Sequence, residues 1–261
     1  MKHCYKNIEG WWGEEEVELY AEMVRLFDSG SHFVEIGSFK GRSSSSMAVE
    51  IINSKKDIRF DCVDTWAGSE EHQKDSDGYI QESAKNSKYA TVVAGNLFQQ
   101  FMDNTKQFSD VINPVRLTSQ EAHKLYDEES LDFVFIDAAH DMRSVLKDIC
   151  GWSPKVKKGG IIAGHDYGAK KYTGVTNAVD LFFGDIVQKE VQTFESCSWW
   201  LVNKDFDMSR MLSAILRRGI TNWSRPDGKM HPEEISKDDD NFVTEEELTN
   251  MLDDKEGYLN G

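Results

Sequence analysis

Two short stretches of the 261-residue chain each bring a carboxylate and an imidazole together: Ile136-Asp-Ala-Ala-His140 and Ala163-Gly-His-Asp-Tyr167. Each follows an apolar run of strand character, so Asp137, His140, His165 and Asp166 fall at the ends of two strands. A lone histidine is more often structural, but two histidines, each paired with an aspartate at a strand end, favour chemistry. Oxygen-rich donor sets suit Mg²⁺ or Ca²⁺, and mixed imidazole and carboxylate sets also take Mn²⁺ or iron. A divalent ion there can hold a hydroxyl and lower its pKa. A nearby histidine, titrating close to neutrality, can take the proton. The plainer alternative is that Asp137 caps the next helix and His140 packs under a loop.

A third stretch, Val34-Glu-Ile-Gly-Ser-Phe-Lys-Gly-Arg-Ser43, ends a strand and opens a helix. Gly37 allows a sharp turn and a close ligand approach. The carboxyl end of a first strand is where open α/β sheets bind ligands. The order Lys40-Gly41-Arg42 departs from a phosphate-binding Gly-Lys-Ser/Thr loop, and Gly37 and Gly41 are too few for a three-glycine dinucleotide fingerprint. A third reading is a methyltransferase-type glycine loop, in which Glu35 can hold the cationic amino-acid end of a cofactor; a tight turn with no ligand is the alternative. Asp64, ending the next strand beside this loop, can accept two hydrogen bonds from ribose hydroxyls, or it caps a turn. Ser119 and Gln120 follow the third strand, where an adenine ring would lie, and Ser119 is equally a good helix N-cap. The candidate cofactor set is therefore Glu35, Gly37, Ser38, Gly41, Ser43, Asp64, Thr65, Ser119, Gln120 and Asp137.

These residues must be held by regular elements. Apolar spacing predicts a helix over Glu14 to Phe27, followed by a strand over His32 to Ile36 and a helix over Gly41 to Ile52. Strands are expected at 60–64, 115–117, 131–137 and 159–163, and helices at 119–126, 141–152 and 173–183. Val187 to Phe194 and Ser198 to Val202 read as a closing strand pair. Strands alternating with helices imply a mostly parallel sheet covered on both faces. The last two strands are joined too tightly for a crossover, so an antiparallel C-terminal hairpin is expected. Thr65 to Asp110 is polar and long, and reads as a helix plus a loop near the active face.

Composition narrows the partners. The net charge is −16, which disfavours nucleic acid. No apolar run is long enough to span a bilayer, and the start of the chain lacks the apolar core of a secretory signal. Four scattered cysteines, with no Cys-x-x-Cys pair, read as reduced thiols of a cytoplasmic protein. Residues 1–204 are expected to form the main domain, with 205–261 as a helical and acidic appendage. Its end, from Glu233 to Gly261, holds 11 acids and 2 bases and reads as a solvated tail.

Taken together, the sequence resembles the class I S-adenosylmethionine-dependent methyltransferases, in the group of macrocin-type sugar O-methyltransferases and cephalosporin hydroxylase-like proteins. The resemblance runs from about Gly10 to Val202. It rests on the glycine loop, on Val63-Asp-Thr-Trp-Ala-Gly68, on Phe135-Ile-Asp-Ala-Ala-His140 and on Gly159-Gly-Ile-Ile-Ala-Gly-His-Asp-Tyr167. It implies a Rossmann-like α/β fold, S-adenosylmethionine as cofactor, and a small-molecule or sugar hydroxyl as acceptor. It further implies that Asp137 and Asp166 bind a divalent metal, Mg²⁺ first, and that His140 is the base. His165, where the family often has an acid, completes the expected metal set. A non-catalytic relative would have lost one or more of Asp137, His140 and Asp166, and all three are present. Another S-adenosylmethionine- or metal-dependent reaction on the same scaffold is the second alternative. Trp11, Trp12, Trp66 and Tyr79 could stack on a ring of the acceptor. Assembly into a homo-oligomer is compatible with the sequence.

Overall fold

The computed structural model describes residues 1–68, 95–169, 171–183 and 199–203. In chain order these form α1 (Glu14–Leu26), β1 (His32–Ile36), α2 (Arg42–Ser54), β2 (Arg59–Val63), α3 (Leu97–Thr105), β3 (Ile112–Val115), α4 (Ser119–Ala122), β4 (Leu131–Ile136), α5 (Met142–Trp152), β5 (Val156–His165), α6 (Thr173–Phe183) and β6 (Trp199–Asn203). The sheet order is β3-β2-β1-β4-β5-β6. The first five strands pair in parallel, and β6 runs antiparallel to β5. The expected hairpin partner at 187–194, and the whole appendage from 205, lie outside the described residues. Among the described residues no helix is long and apolar enough to cross a membrane.

Strand residues alternate between two cores. Phe33, Phe60, Cys62, Phe133, Phe135 and Ala163 pack with α1, α2 and α3. Val34, Ile36, Val63, Val134, Ile136 and Ile162 pack with α5 and α6 on the other face. This two-residue period is what a pleated strand buried on both sides produces. The chain lays β2 and β3 outward from β1 on one side and then returns to lay β4 and β5 on the other, so the strand order reverses between β1 and β4. Such a switch point opens a crevice at the carboxyl edge.

The third strand lies upstream of its expected place, at Ile112–Val115 rather than 115–117. It contains Asn113-Pro114, which reads as a turn in sequence. Pro114 lacks the N–H a central strand needs, and the sheet tolerates it because β3 is an edge. The helix expected over 119–126 is one α turn followed by a 3-10 turn at His123–Leu125. Its N-cap is Thr118, whose Oγ1 accepts from Glu121 N at 3.2 Å while Glu121 Oε2 accepts from Thr118 N at 3.1 Å.

The amino edge is fastened by one carboxylate. Asp61 is fully buried in β2 and accepts from His32 Nε2 at 2.8 Å, Asn113 Nδ2 at 2.9 Å, Tyr126 Oη at 2.9 Å and the Arg59 guanidinium at 3.0 Å. Burial alone would raise its pKa, but the hydrogen bonds from His32, Asn113 and Arg59 outweigh that and hold it at about 2. Asp61→Ala strands these donors and should cost roughly 3–5 kcal/mol. Urea unfolding at neutral pH measures this; a loss under 1 kcal/mol would mean that the four partners do not depend on the carboxylate.

Candidate functional site

The carboxyl edge is assembled where β1 meets β4. Asp137 N donates to Ile36 O at 2.8 Å, and Gly37 N donates to Val63 O at 2.9 Å, so the ladder continues past the strand ends. Gly37 has φ +92°, and a Cβ there would lie 1.9 Å from the carbonyl oxygen of Asp137. No other residue fits. Gly41, at φ +84°, caps α2, and a Cβ there would sit 2.6 Å from Thr105 Cγ2.

Asp64 clamps the glycine loop to the segment after β2. Its Oδ2 accepts from Phe39 N at 2.8 Å and its Oδ1 from Trp66 N at 2.7 Å, while Trp66 Nε1 donates to Phe39 O at 2.8 Å. Burial raises the Asp64 pKa, opposed by the backbone donors Trp66, Phe39 and Thr65. Glu35 sits beneath the loop, buried between α1 and α2. It accepts from Tyr20 Oη at 2.8 Å and from the Ser44 hydroxyl. Burial pushes its pKa up, and the hydroxyls of Ser44 and Tyr20 oppose this. Ser38 is buried beside it, and the Ser43 carbonyl accepts from Ser46 Oγ at 2.8 Å. Thr65 Oγ1 accepts from Ala67 N at 3.2 Å.

Next to the loop, Asp137, His140 and Asp166 offer ligand atoms that all lie within 4.8 Å of one another. Asp166 Oδ2 lies 3.2 Å from His140 Nε2 and 3.2 Å from His165 Nδ1, and His165 Nδ1 is 3.9 Å from Asp137 Oδ1. Burial raises the Asp137 pKa against the pull of His165. For Asp166 burial acts the same way, but hydrogen bonds from His140 and His165 win and hold it well below the usual carboxylate range. Asp166 also sits in the left-handed region at φ +62°, a conformation aspartate tolerates better than most residues. The His140 ring stacks on Tyr172 with centroids 3.9 Å apart. Gly174 in α6 packs against the His140–Met142 backbone, where a Cβ would lie 2.5 Å from His140 O. The cap of α5 is Asp141, whose Oδ1 accepts from Ser144 N at 2.8 Å, so Asp137 is not spent on capping that helix.

Residues 34–167 match the model of a family described as a methyltransferase domain. The chain belongs to that family. The match opens at the strand before the glycine loop and closes on the His165-Asp166 motif. Among solved structures, that of the O-methyltransferase NovP is similar at 16% identity, covering 74% of this chain and 80% of its own, with a TM-score of 0.54. A Corynebacterium glutamicum protein is similar at 8% identity, covering 77% and 85%, with a TM-score of 0.50. None of the curated proteins matches the sequence. The protein is thus a class I S-adenosylmethionine-dependent methyltransferase with the Rossmann-like sheet of that class.

On this methyltransferase scaffold two of the proposed cofactor contacts are tied to α5. Ser119 Oγ accepts from Trp152 Nε1 at 2.8 Å, and Gln120 Nε2 donates to Asp148 Oδ1 at 2.8 Å. Of the acceptor-stacking candidates, Trp12 and Trp66 are buried in the core. Trp11 is 50% exposed beside Phe39, with centroids 6.0 Å apart, and Tyr79 lies outside the described residues. Sequence reasoning missed Lys40, Arg42 and Glu16. Buried Lys40 donates to Glu9 Oε2 at 2.7 Å, and Arg42 donates to Trp12 O at 2.9 Å and Ile8 O at 3.0 Å, strapping residues 8–12 across the start of α2. Their basic charge inside a glycine loop was the available signal.

Asp148 carries a pH prediction. Burial raises its pKa, against hydrogen bonds from Ser119 and Gln120, to about 7. The folded state therefore keeps a proton that the unfolded chain releases near pH 4. Stability should fall as pH rises from about 4 to about 7 and level off above that. The span from the ordinary 3.8 to about 7 corresponds to roughly 4 kcal/mol. Asp148→Asn should flatten the profile in urea melts across this range; an unchanged slope would assign the pH dependence elsewhere.

Proposed function

We propose that the protein methylates a hydroxyl oxygen of a small molecule or sugar with the help of a bound divalent cation, Mg²⁺ first. The observation that carries this reading is the meeting of Asp137, His140 and Asp166 within 4.8 Å, on the strand end whose carbonyl touches Gly37 of the cofactor loop. Two carboxylates with one of the two imidazoles beside them, His140 or His165, form a donor set that fits a hard or borderline divalent ion, and His165 Nδ1 lies 3.2 Å from Asp166 Oδ2 and 3.9 Å from Asp137 Oδ1. Asp137 and Asp166 would hold it together with His165. When bound, the cation would hold the acceptor hydroxyl and lower its pKa.

The chain's own residues supply the rest. Asp64 keeps the glycine loop in place, and with three backbone donors on its carboxylate one acceptor site is left for a ribose hydroxyl. Ser38, Gly41 and Ser43 belong to the same loop, and Thr65 follows Asp64 in the neighbouring one. Glu35 stiffens its underside and biases the site toward the cationic end of the cofactor. Ser119 and Gln120, held by α5, would flank the adenine. The reaction forms a bond between acceptor oxygen and methyl carbon while the sulfur departs with its electron pair. His140, oriented by Asp166 and stacked on Tyr172, takes the hydroxyl proton. Orientation supplies much of the remaining rate.

The test combines calorimetry with transfer of labelled methyl groups to a panel of sugar and phenolic acceptors. Asp64→Ala should weaken S-adenosylmethionine binding by about 1.5–3 kcal/mol. His140→Ala should lower kcat by roughly 10²–10⁴-fold with cofactor affinity unchanged, the deficit narrowing at high pH. Asp137→Ala and Asp166→Ala should abolish turnover while leaving the cofactor bound. Turnover that survives a chelator would remove the cation from the reaction and leave the methyltransferase intact.

A further inference from the structure

The second imidazole of the site has a partner from the far end of the chain. His165 Nε2 lies 3.2 Å from Oε1 of Glu16, in the first turn of α1. Glu16 is 5% exposed, and its other oxygen, Oε2, accepts from Gly13 N at 2.8 Å. One carboxylate thus caps α1 and meets the ring. The Trp12 ring lies over the same imidazole, with centroids 6.2 Å apart. The opposite ring nitrogen, Nδ1, is turned toward Asp166 Oδ2 and Asp137 Oδ1, at 3.2 and 3.9 Å.

We infer that Glu16 is a positioning residue that fixes His165 as a metal ligand through Nδ1. An ionised carboxylate can only accept hydrogen bonds, and the N-terminus of α1 favours negative charge at that position. Glu16 therefore holds a proton on Nε2. Without a cation Nδ1 can donate to Asp166 as well, and a cation lying among Nδ1 and the two carboxylates takes the place of that proton and meets the Nδ1 lone pair. Metal-bound histidines in general donate their other N–H to a carboxylate or carbonyl, which orients the ring and raises its basicity. With His165 committed in this way, His140 is left to handle the proton. The inference rests on the cation-assisted reading above and adds the residue that prepares its nitrogen ligand.

The experiment uses the full chain with S-adenosylhomocysteine present. Mn²⁺ and Co²⁺ affinities are measured by calorimetry, and the Co²⁺ absorption spectrum is recorded, for the wild type, Glu16→Ala and Glu16→Gln. Thermal unfolding in chelator reports the separate effect of the lost helix cap. Glu16→Ala should weaken metal binding by about 10–100-fold and shift the Co²⁺ bands. Glu16→Gln, which keeps an acceptor oxygen, should recover part of the affinity. Equal affinity and identical spectra in folded Glu16→Ala would overturn the role of Glu16 while leaving the metal site standing. A wild type that binds neither ion would overturn the metal site itself. Nitrogen-15 NMR of the wild type with saturating Mg²⁺ needs no variant. It should find the His165 proton on Nε2 alone, and a proton retained on Nδ1 would overturn the assignment.

Discussion

The close approach of two backbones governs this protein. The end of β1 and the end of β4 lie so near each other that a single added carbon on Gly37 would strike the Asp137 carbonyl. Through that contact the glycine loop and the acidic cluster form one rigid edge. The ladder bonds from Asp137 to Ile36 and from Gly37 to Val63 lock the spacing. A reaction that needs donor and acceptor in line gains from such stiffness, because misplacement by an ångström is costly in rate.

Much of this was legible in the sequence where a residue's surroundings are local or periodic. His32 to Ile36 and Leu131 to Ile136 announce themselves by apolar content, and the helix at Thr173–Phe183 lies where its spacing places it. The glycine loop was legible because Gly37 and Gly41 have a conformational reason to be glycine. The third strand was misplaced because Pro114 obeys an edge-strand allowance that depends on sheet order, which no local pattern reveals. Ser119 and Gln120 look open to a ligand in sequence, yet their partners Trp152 and Asp148 come from a helix about thirty residues on. Glu16 was invisible for the same reason. Its acidic neighbours Glu14 and Glu15 advertise a helix start, and its contact lies 149 residues away.

The carboxylates are set apart by environment rather than by type. Asp61 and Asp166 are both largely enclosed, but several donors keep their charge in place. Glu35 and Asp148 are held only by neutral hydroxyl and amide donors, Asp137 faces the like charge of Asp166, and burial moves all three the other way. One sheet thus carries permanently charged anchors alongside groups whose protonation is open to whatever lies near them.

The pairing of Glu16 with His165 has a consequence for the order of events during synthesis. α1 leaves the ribosome well before β5, and its inward carboxylate waits for the last residue of β5. Residues 8–12 wait in turn for Lys40 and Arg42. Contacts of such long sequence separation close late and slow the approach to the native state. Until β5 is made, Tyr20 and its neighbours in α1 can pack on β1, α2 and Phe133 and Phe135 of β4, but Glu16 has no imidazole to meet. In a nascent chain α1 is therefore open to premature partners for as long as β5 is missing.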